Sequence, residues 1–200
     1  MLDRYDPRNW PISYEGVIHT LIVLGSAVAL ALLAHWIVFA LLRRVTLDLT
    51  GLPPPRQLLE EYVSDTSEVG YLRYVDSLLT STRAAEHRAR YWLDAARYAD
   101  TNGYQTDGPR TMWRWRDWVI EALNRNMPFD QFTIEQLAGD LLPTAKQQQK
   151  IQPGFCRNHM INGEGGRIAE ENRIEYIFDQ TETLGTIWLG LTLTCCRCHD

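Results

Sequence analysis

From Gly16 to Leu42 the chain carries no Asp, Glu, Lys or Arg, and the run VIHTLIVLGSAVALALLAHWIVFALL ends against Arg43 and Arg44. At about 1.5 Å per residue, residues 17–42 make a helix of roughly 39 Å, enough to cross a hydrocarbon core of about 30 Å with some tilt. The expectation is a transmembrane helix over 17–42, preceded by a polar segment over 1–16. A cleaved signal peptide is the rival reading, with Ala29 and Ala31 imitating a cleavage site. The apolar run continues well past Ala31, and the leader is acidic as well as basic, which favours an uncleaved anchor. His19 and His35 have no acidic companion nearby and read as interfacial or partner-facing residues, although intramembrane histidines can bind haem or carry protons. Arg43 and Arg44 favour a cytoplasmic C-terminal side and Arg4 and Arg8 oppose them, so the positive-inside rule leaves orientation open.

Residues 43–55 read as a linker. Val45, Leu47 and Leu49 alternate with polar residues as in a short extended segment, and Gly51 with Pro53, Pro54 and Pro55 stops any helix arriving from the membrane. From there to residue 200 the pattern is helical, giving an all-α class: one N-terminal transmembrane helix followed by a multi-helix soluble domain over 56–200. A short helix over 56–63 carries Leu58, Leu59 and Tyr62 on one face. Ser67 caps the next, in which Val69, Leu72, Val75, Leu78 and Leu79 recur at helical spacing. A third runs from 82 to about 99, with Ala85, Trp92, Ala96 and Ala99 as core face and Arg83, Glu86, Arg90 and Arg97 as solvated face. The loop over 100–111 is built from turn formers. Asp100, Asn102 and Asp107 there read as turn caps, because the spacing lacks a calcium-loop pattern. A helix over 112–126 buries Trp115, Trp118, Val119 and Ala122. Pro128 breaks it, a further helix ends at Gly139, a polar turn follows over 144–151, and a last helix runs over 170–192 with an apolar stripe of Ile174, Ile177, Phe178, Leu184, Ile187, Trp188 and Leu191.

A formal charge of −5 and the absence of a basic stripe exclude a nucleic-acid partner. No Ser-His-Asp arrangement, phosphate-binding Gly loop or H-E-x-x-H pair points to hydrolysis or nucleotide chemistry, and Glu170 and Glu171 suit a helix N-terminus. Three of the four cysteines fall at 195, 196 and 198, which is not the spread of a disulfide framework. With His199 they form C-x-x-C-H: Cys195 and Cys198 could make thioether bonds to haem vinyl groups, and His199 follows at once as an iron ligand. The same cluster could hold zinc or an iron–sulfur centre, or remain inert thiols. A second stretch, GFCRNHMINGEGGRIAEEN over 154–172, offers Cys156, His159 and Met160 as metal or axial ligands. A haem tied to His199 would take His159 or Met160 as sixth ligand, or leave that position open.

Five stretches carry a resemblance: LDLTGLPP at 47–54, YWLDAARYADTNGY at 91–104, RDWVIEALNRNMPFDQFTIEQLAGDLLP at 116–143, EGG with the following EE at 164–171, and WLGLTLTCCRCHD at 188–200. From about Arg43 onward the chain resembles the planctomycete cytochrome-C-associated (PSCyt-type) family, a domain of unknown function. The resemblance implies a mostly helical extracytoplasmic domain with a cytochrome-like C-R-C-H portion, and it carries over only Cys195, Cys198 and His199 as haem positions. Where relatives carry a small residue this chain has Cys196, and where they read G-F-H-R-N it has Cys156. Relatives also continue further, so the domain over 56–200 is expected to be incomplete at its C-terminus. The combined expectation is a single-pass protein of the bacterial cytoplasmic membrane with an extracytoplasmic domain. It would bind c-type haem and pass electrons to a redox partner protein or to other domains of a larger assembly. The alternative is a non-haem interaction or glycan-associated surface domain with a structural zinc or inert cysteines.

Overall fold

The computed structural model describes residues 14–104 and 106–199, so most of the polar segment expected over 1–16 lies outside the described residues. The described chain is helical, and its only strand-like feature is one bridge between Thr101 and Pro109. Helix α1 (Tyr14–Thr50) is long and apolar enough to cross a membrane, and its residues up to Leu41 are exposed.

α1 runs straight through the positions expected to be extended. Alternation of apolar and polar residues at 45–50 loses to tertiary packing: Leu42, Thr46 and Thr50, spaced four apart, form a buried stripe. Their hydroxyls are satisfied within the helix, Thr46 donating to the Leu42 carbonyl at 2.9 Å and Thr50 to the Thr46 carbonyl at 2.8 Å. Tyr74 of α3 (Glu68–Leu79) closes the contact with its hydroxyl 2.5 Å from that of Thr46. Val45, Leu49 and, from α2 (Arg56–Ser64), Leu58, Leu59 and Tyr62 pack around Leu42, Tyr74 and Leu78. The buried face of α3 is therefore Gly70, Tyr74 and Leu78, while Val69, Leu72 and Leu79 of the expected stripe stand exposed.

The main core lies further along. α4 (Thr82–Ala95) presents Ala84, Ala85 and Ala89, whose small side chains let it pack closely on both α1 and α5 (Trp113–Asn124). Trp115, Trp118, Val119 and Ala122 are buried as their spacing predicts. Trp118 stacks on Phe132 of α6 (Phe129–Ala138) at 5.3 Å between ring centres, and Trp92 of α4 meets Phe132 edge-on at 5.0 Å. Trp188 of α7 (Ala169–Leu189) packs edge-on to Phe155 at 4.8 Å, joining the last helix to the cluster. Two indoles place their N–H on polar partners, Trp92 on Gln136 at 3.0 Å and Trp188 on Thr133 at 3.1 Å.

α4 stops at Ala95, short of the expected 99, because Arg97 takes the left-handed conformation (φ 58°) and the Tyr98 amide turns back to the Leu93 carbonyl. That position usually goes to glycine. Here the side chain explains the residue: the Arg97 guanidinium pairs with the Asp179 carboxylate and donates to its backbone carbonyl at 3.0 Å, so it clasps α4 to α7. Spacing alone had left Arg97 on a solvated face.

Two phenols of this fold set its alkaline limit. Burial raises the Tyr74 pKa, and burial together with the 2.5 Å hydrogen bond to Asp100 pushes Tyr98 up to about 12. In the unfolded chain both ionise near 10, so their contribution is complete below pH 10 and is lost above it, for Tyr98 as the pH rises towards about 12. Denaturant unfolding is expected to show stability falling over that window, and Tyr98→Phe is expected to flatten the fall.

Candidate functional site

The C-terminal thiols are placed by the way α7 ends. Gly190 supplies the left-handed C-cap (φ 64°), and the Leu191 amide returns to the Gly185 carbonyl at 3.0 Å, reversing the chain. Leu193 then seats on Gly185, where an added Cβ would stand 2.6 Å from the leucine Cδ1 and displace that side chain. The chain goes on into a 3-10 turn, Thr194–Arg197, in which the Cys196 amide donates to the Leu193 carbonyl at 3.0 Å and the Cys198 amide to the Cys195 carbonyl at 3.2 Å. The His199 amide approaches the same Cys195 carbonyl at 3.4 Å.

Arg197 fastens this turn to α7. Its Nε donates to Glu182 at 2.6 Å, its Nη1 to Glu175 at 2.8 Å, and its guanidinium lies 5.1 Å from the centre of the Phe178 ring. Glu175, Phe178, Glu182 and Gly185 recur at helical spacing and form one face of α7, along which the last residues lie. The hydrogen bond to Glu182, followed by that to Glu175, raises the guanidinium pKa and keeps it charged. Ile174, Ile177 and Phe178 of the expected stripe remain partly exposed beside this arginine, while Ile187 and Trp188 join the core.

Cys195, Cys196 and Cys198 are all exposed. Cys195 and Cys196 lie within the 3-10 turn, and Cys198 is its C-cap (φ −115°). Cys156 differs: burial, with Asp140 nearby, raises its thiol pKa and keeps it protonated and unreactive.

His159 and Met160 occupy a separate region. Arg110 organises it, donating from Nε to the Ala99 carbonyl at 3.1 Å, from Nη1 to the His159 carbonyl at 2.7 Å and from Nη2 to the Asn158 carbonyl at 3.0 Å. In the loop it closes, the Asp107 carboxylate accepts the Gly103 amide at 2.7 Å and Asp100 accepts the Tyr98 hydroxyl, so these side chains serve as turn caps. The His159 ring stacks on Tyr176 at 4.4 Å, with Nδ1 2.9 Å from the Met160 carbonyl, and the Met160 thioether lies over Gly103. With Arg97 and Asp179, His159 borders a cavity of about 220 Å³. Tyr176, Asp179 and Thr183 sit roughly a third of a turn around α7 from the face that carries Arg197. Cys195, Cys198 and His199 are neighbours in the terminal turn, His159 packs on Tyr176 a third of a turn around α7, and among the described residues no three His, Cys, Asp or Glu are grouped to hold a metal ion.

Arg197, Gly185 and Arg110 escaped the sequence reading. Their partners lie up to 49 residues away, beyond any spacing rule, although an arginine inside C-x-x-C-H followed upstream by helical glutamates was a usable signal. Arg197→Gln is expected to strip amide-exchange protection from residues 191–199 and leave the middle of α7 unchanged, as read by hydrogen exchange with mass spectrometry. Equal protection in both forms would show that the ion pairs do not hold the turn.

A family model, PSCyt2, described as a protein of unknown function (DUF1549), matches residues 37–200. No curated protein and no solved structure matches the chain.

Proposed function

The chain belongs to the PSCyt2 family, and on that premise we propose that it is a membrane-anchored electron-transfer module carrying a c-type haem. Cys195 and Cys198 are its thioether positions and His199 its axial ligand. The observation that carries this reading is the turn itself: two exposed thiols three residues apart, an imidazole next in sequence, and an arginine inside the motif that pins the turn to α7.

The donor set fits the group. Covalent haem asks for two accessible thiols and one imidazole, and these residues supply them. A structural zinc site asks for four side chains, of which Cys195, Cys198 and His199 would supply three, and metal analysis separates that reading from haem. Phe178, against the arginine, and the exposed Ile174 and Ile177 leave apolar surface on α7, which suits the edge of a macrocycle.

When bound, the haem iron supplies one-electron chemistry. The protein's part is attachment through Cys195 and Cys198, orientation through the Arg197 ion pairs, and ligation through His199. A redox partner protein, or further domains of a larger assembly, completes the transfer. Thioether attachment takes place outside the bacterial cytoplasmic membrane, so the reading puts the helical domain on the extracytoplasmic side with α1 as a single-pass anchor.

The full chain, produced together with a haem-attachment system, is expected to give a pyridine haemochrome spectrum and a haem-stained band that survives denaturation. Zinc without haem by metal analysis would favour a non-haem surface domain. Tag accessibility that puts the C-terminal side in the cytoplasm would overturn the reading.

A further inference from the structure

α1 serves two environments, and the division falls near residue 36. Tyr14 and Trp36, 87% and 67% exposed, are 22 residues apart. That is about 33 Å along a helix axis, the separation of the two aromatic belts that flank a hydrocarbon core of about 30 Å. The family match begins at residue 37, the position after Trp36. Beyond it, Leu42, Thr46 and Thr50 are buried against the soluble domain. On a span so placed, residues 37–42 fall in the membrane interface and Arg43 and Arg44, about two turns beyond Trp36, at its water side.

At that edge α1 and α2 enclose a groove of about 640 Å³, within the range of roughly 300–1,000 Å³ typical of ligand sites. Val38, Phe39 and Leu42 line it from α1, and Arg56, Leu59 and Val63 from α2. Val63 is 66% exposed although it faces the groove. The walls are mostly apolar, with His35, Glu60 and Tyr62 also in the lining. Arg56 pairs with Glu60 at 2.7 Å, and Arg43 stands outside the lining, one helical turn beyond Phe39 on the same face of α1.

We propose that this groove seats an acyl chain of a bilayer phospholipid, with Arg56 and Arg43 at the lipid phosphate, so that α2 rests as a foot on the membrane surface. Two observations select lipid as occupant. The exposed apolar surface of α1 continues without a charged residue from the span into the groove, so bilayer hydrocarbon reaches it with no aqueous gap. The cations sit at the end where a chain entering from the bilayer would leave its phosphate. The proposal rests on α1 crossing the membrane and is independent of haem.

The test uses the full chain reconstituted in phosphatidylglycerol vesicles that contain a phospholipid with a photoreactive diazirine on its acyl chain. After irradiation and digestion, adducts are expected on residues 14–36 and also on peptides covering 37–42 and 56–63. Val63→Glu, at an exposed position, is expected to remove the α2 adducts and keep those on the span. Arg56→Gln is expected to lower the phospholipid retained after detergent extraction about fivefold, the effect of one basic residue near an anionic surface, with no competition from inorganic phosphate. Adducts confined to 14–36 overturn the groove assignment, as does α2 cross-linked to a second copy in place of lipid. Displacement by inorganic phosphate would reduce the site to an anion site. Absence of adducts from 14–36 as well overturns the membrane span on which the proposal rests.

Discussion

Replacing Cys195 and Cys198 together by alanine is expected to abolish covalently bound haem, with no haem-stained band and no haemochrome in the denatured protein. Each single variant is expected to keep one thioether and to yield less protein-bound haem with an altered haemochrome band. Both side chains are exposed, so truncation creates no core cavity, and far-ultraviolet circular dichroism should stay as in the parent chain. That separates loss of attachment from loss of fold. Two controls sharpen the result. Cys196→Ala should keep the haem, because residue 196 is not one of the two thiols of C-x-x-C-H. Cys156→Ala should keep it too, because burial holds that thiol protonated and away from the turn. His199→Ala should retain the thioethers while its spectrum reports a changed axial field. Haem surviving in the double variant, or vanishing in Cys196→Ala, would sink the assignment.

What the sequence disclosed, and what it hid, follows from the range of the interactions involved. The apolar run, the Trp115, Trp118 and Ala122 face, and the cap at Ser67 are local patterns, and the structure has them where spacing put them. The stretch at 45–50 was read as extended because Val-Thr-Leu-Asp-Leu-Thr alternates. Its helical form is decided by Tyr74, 28 residues from Thr46, which no window can contain. Val69 and Leu72 misled for a related reason: the close approach at α3 is made over Gly70, whose missing side chain leaves no hydrophobic signal, so the apolar positions beside it were taken for the inner face. At the candidate site Cys195, Cys198 and His199 were legible as a motif. Their support was not. Arg197 reaches 15 and 22 residues back to Glu182 and Glu175, and what it fastens could be seen only once α7 and the returning chain lay side by side. The distance of His159 from the thiols was equally hidden, since it depends on which side of α7 Tyr176 presents.

Trp115→Ala is expected to be the most destabilising single substitution at a position away from the thiols. The indole is 1% exposed and lies at the meeting point of three segments: Tyr98 stacks on it at 6.1 Å, Phe155 tilts against it at 6.3 Å, and Gly154 approaches so closely that an added Cβ would stand 3.0 Å from the tryptophan Cβ. Removing a buried tryptophan costs about 3–5 kcal/mol, because packed neighbours cannot fully collapse into the cavity. One term acts the other way. The Trp115 indole N–H is buried with no partner, so its loss relieves a desolvation penalty of about 1–3 kcal/mol. The net expectation is a loss of about 2 kcal/mol, or roughly 6 °C in Tm for a domain of this size. The two terms can be separated. Trp115→Phe removes the same N–H and keeps most of the aromatic volume, so it should cost about 1 kcal/mol or less. Trp113→Ala, two residues away and 46% exposed, gives the background for truncating an indole on the same helix and should also stay within about 1 kcal/mol. Denaturant unfolding of the detergent-solubilised chain, followed by near-ultraviolet circular dichroism, measures all three. A Trp115→Ala loss no larger than that of Trp113→Ala would mean that the cluster around α5 is not what holds the domain together.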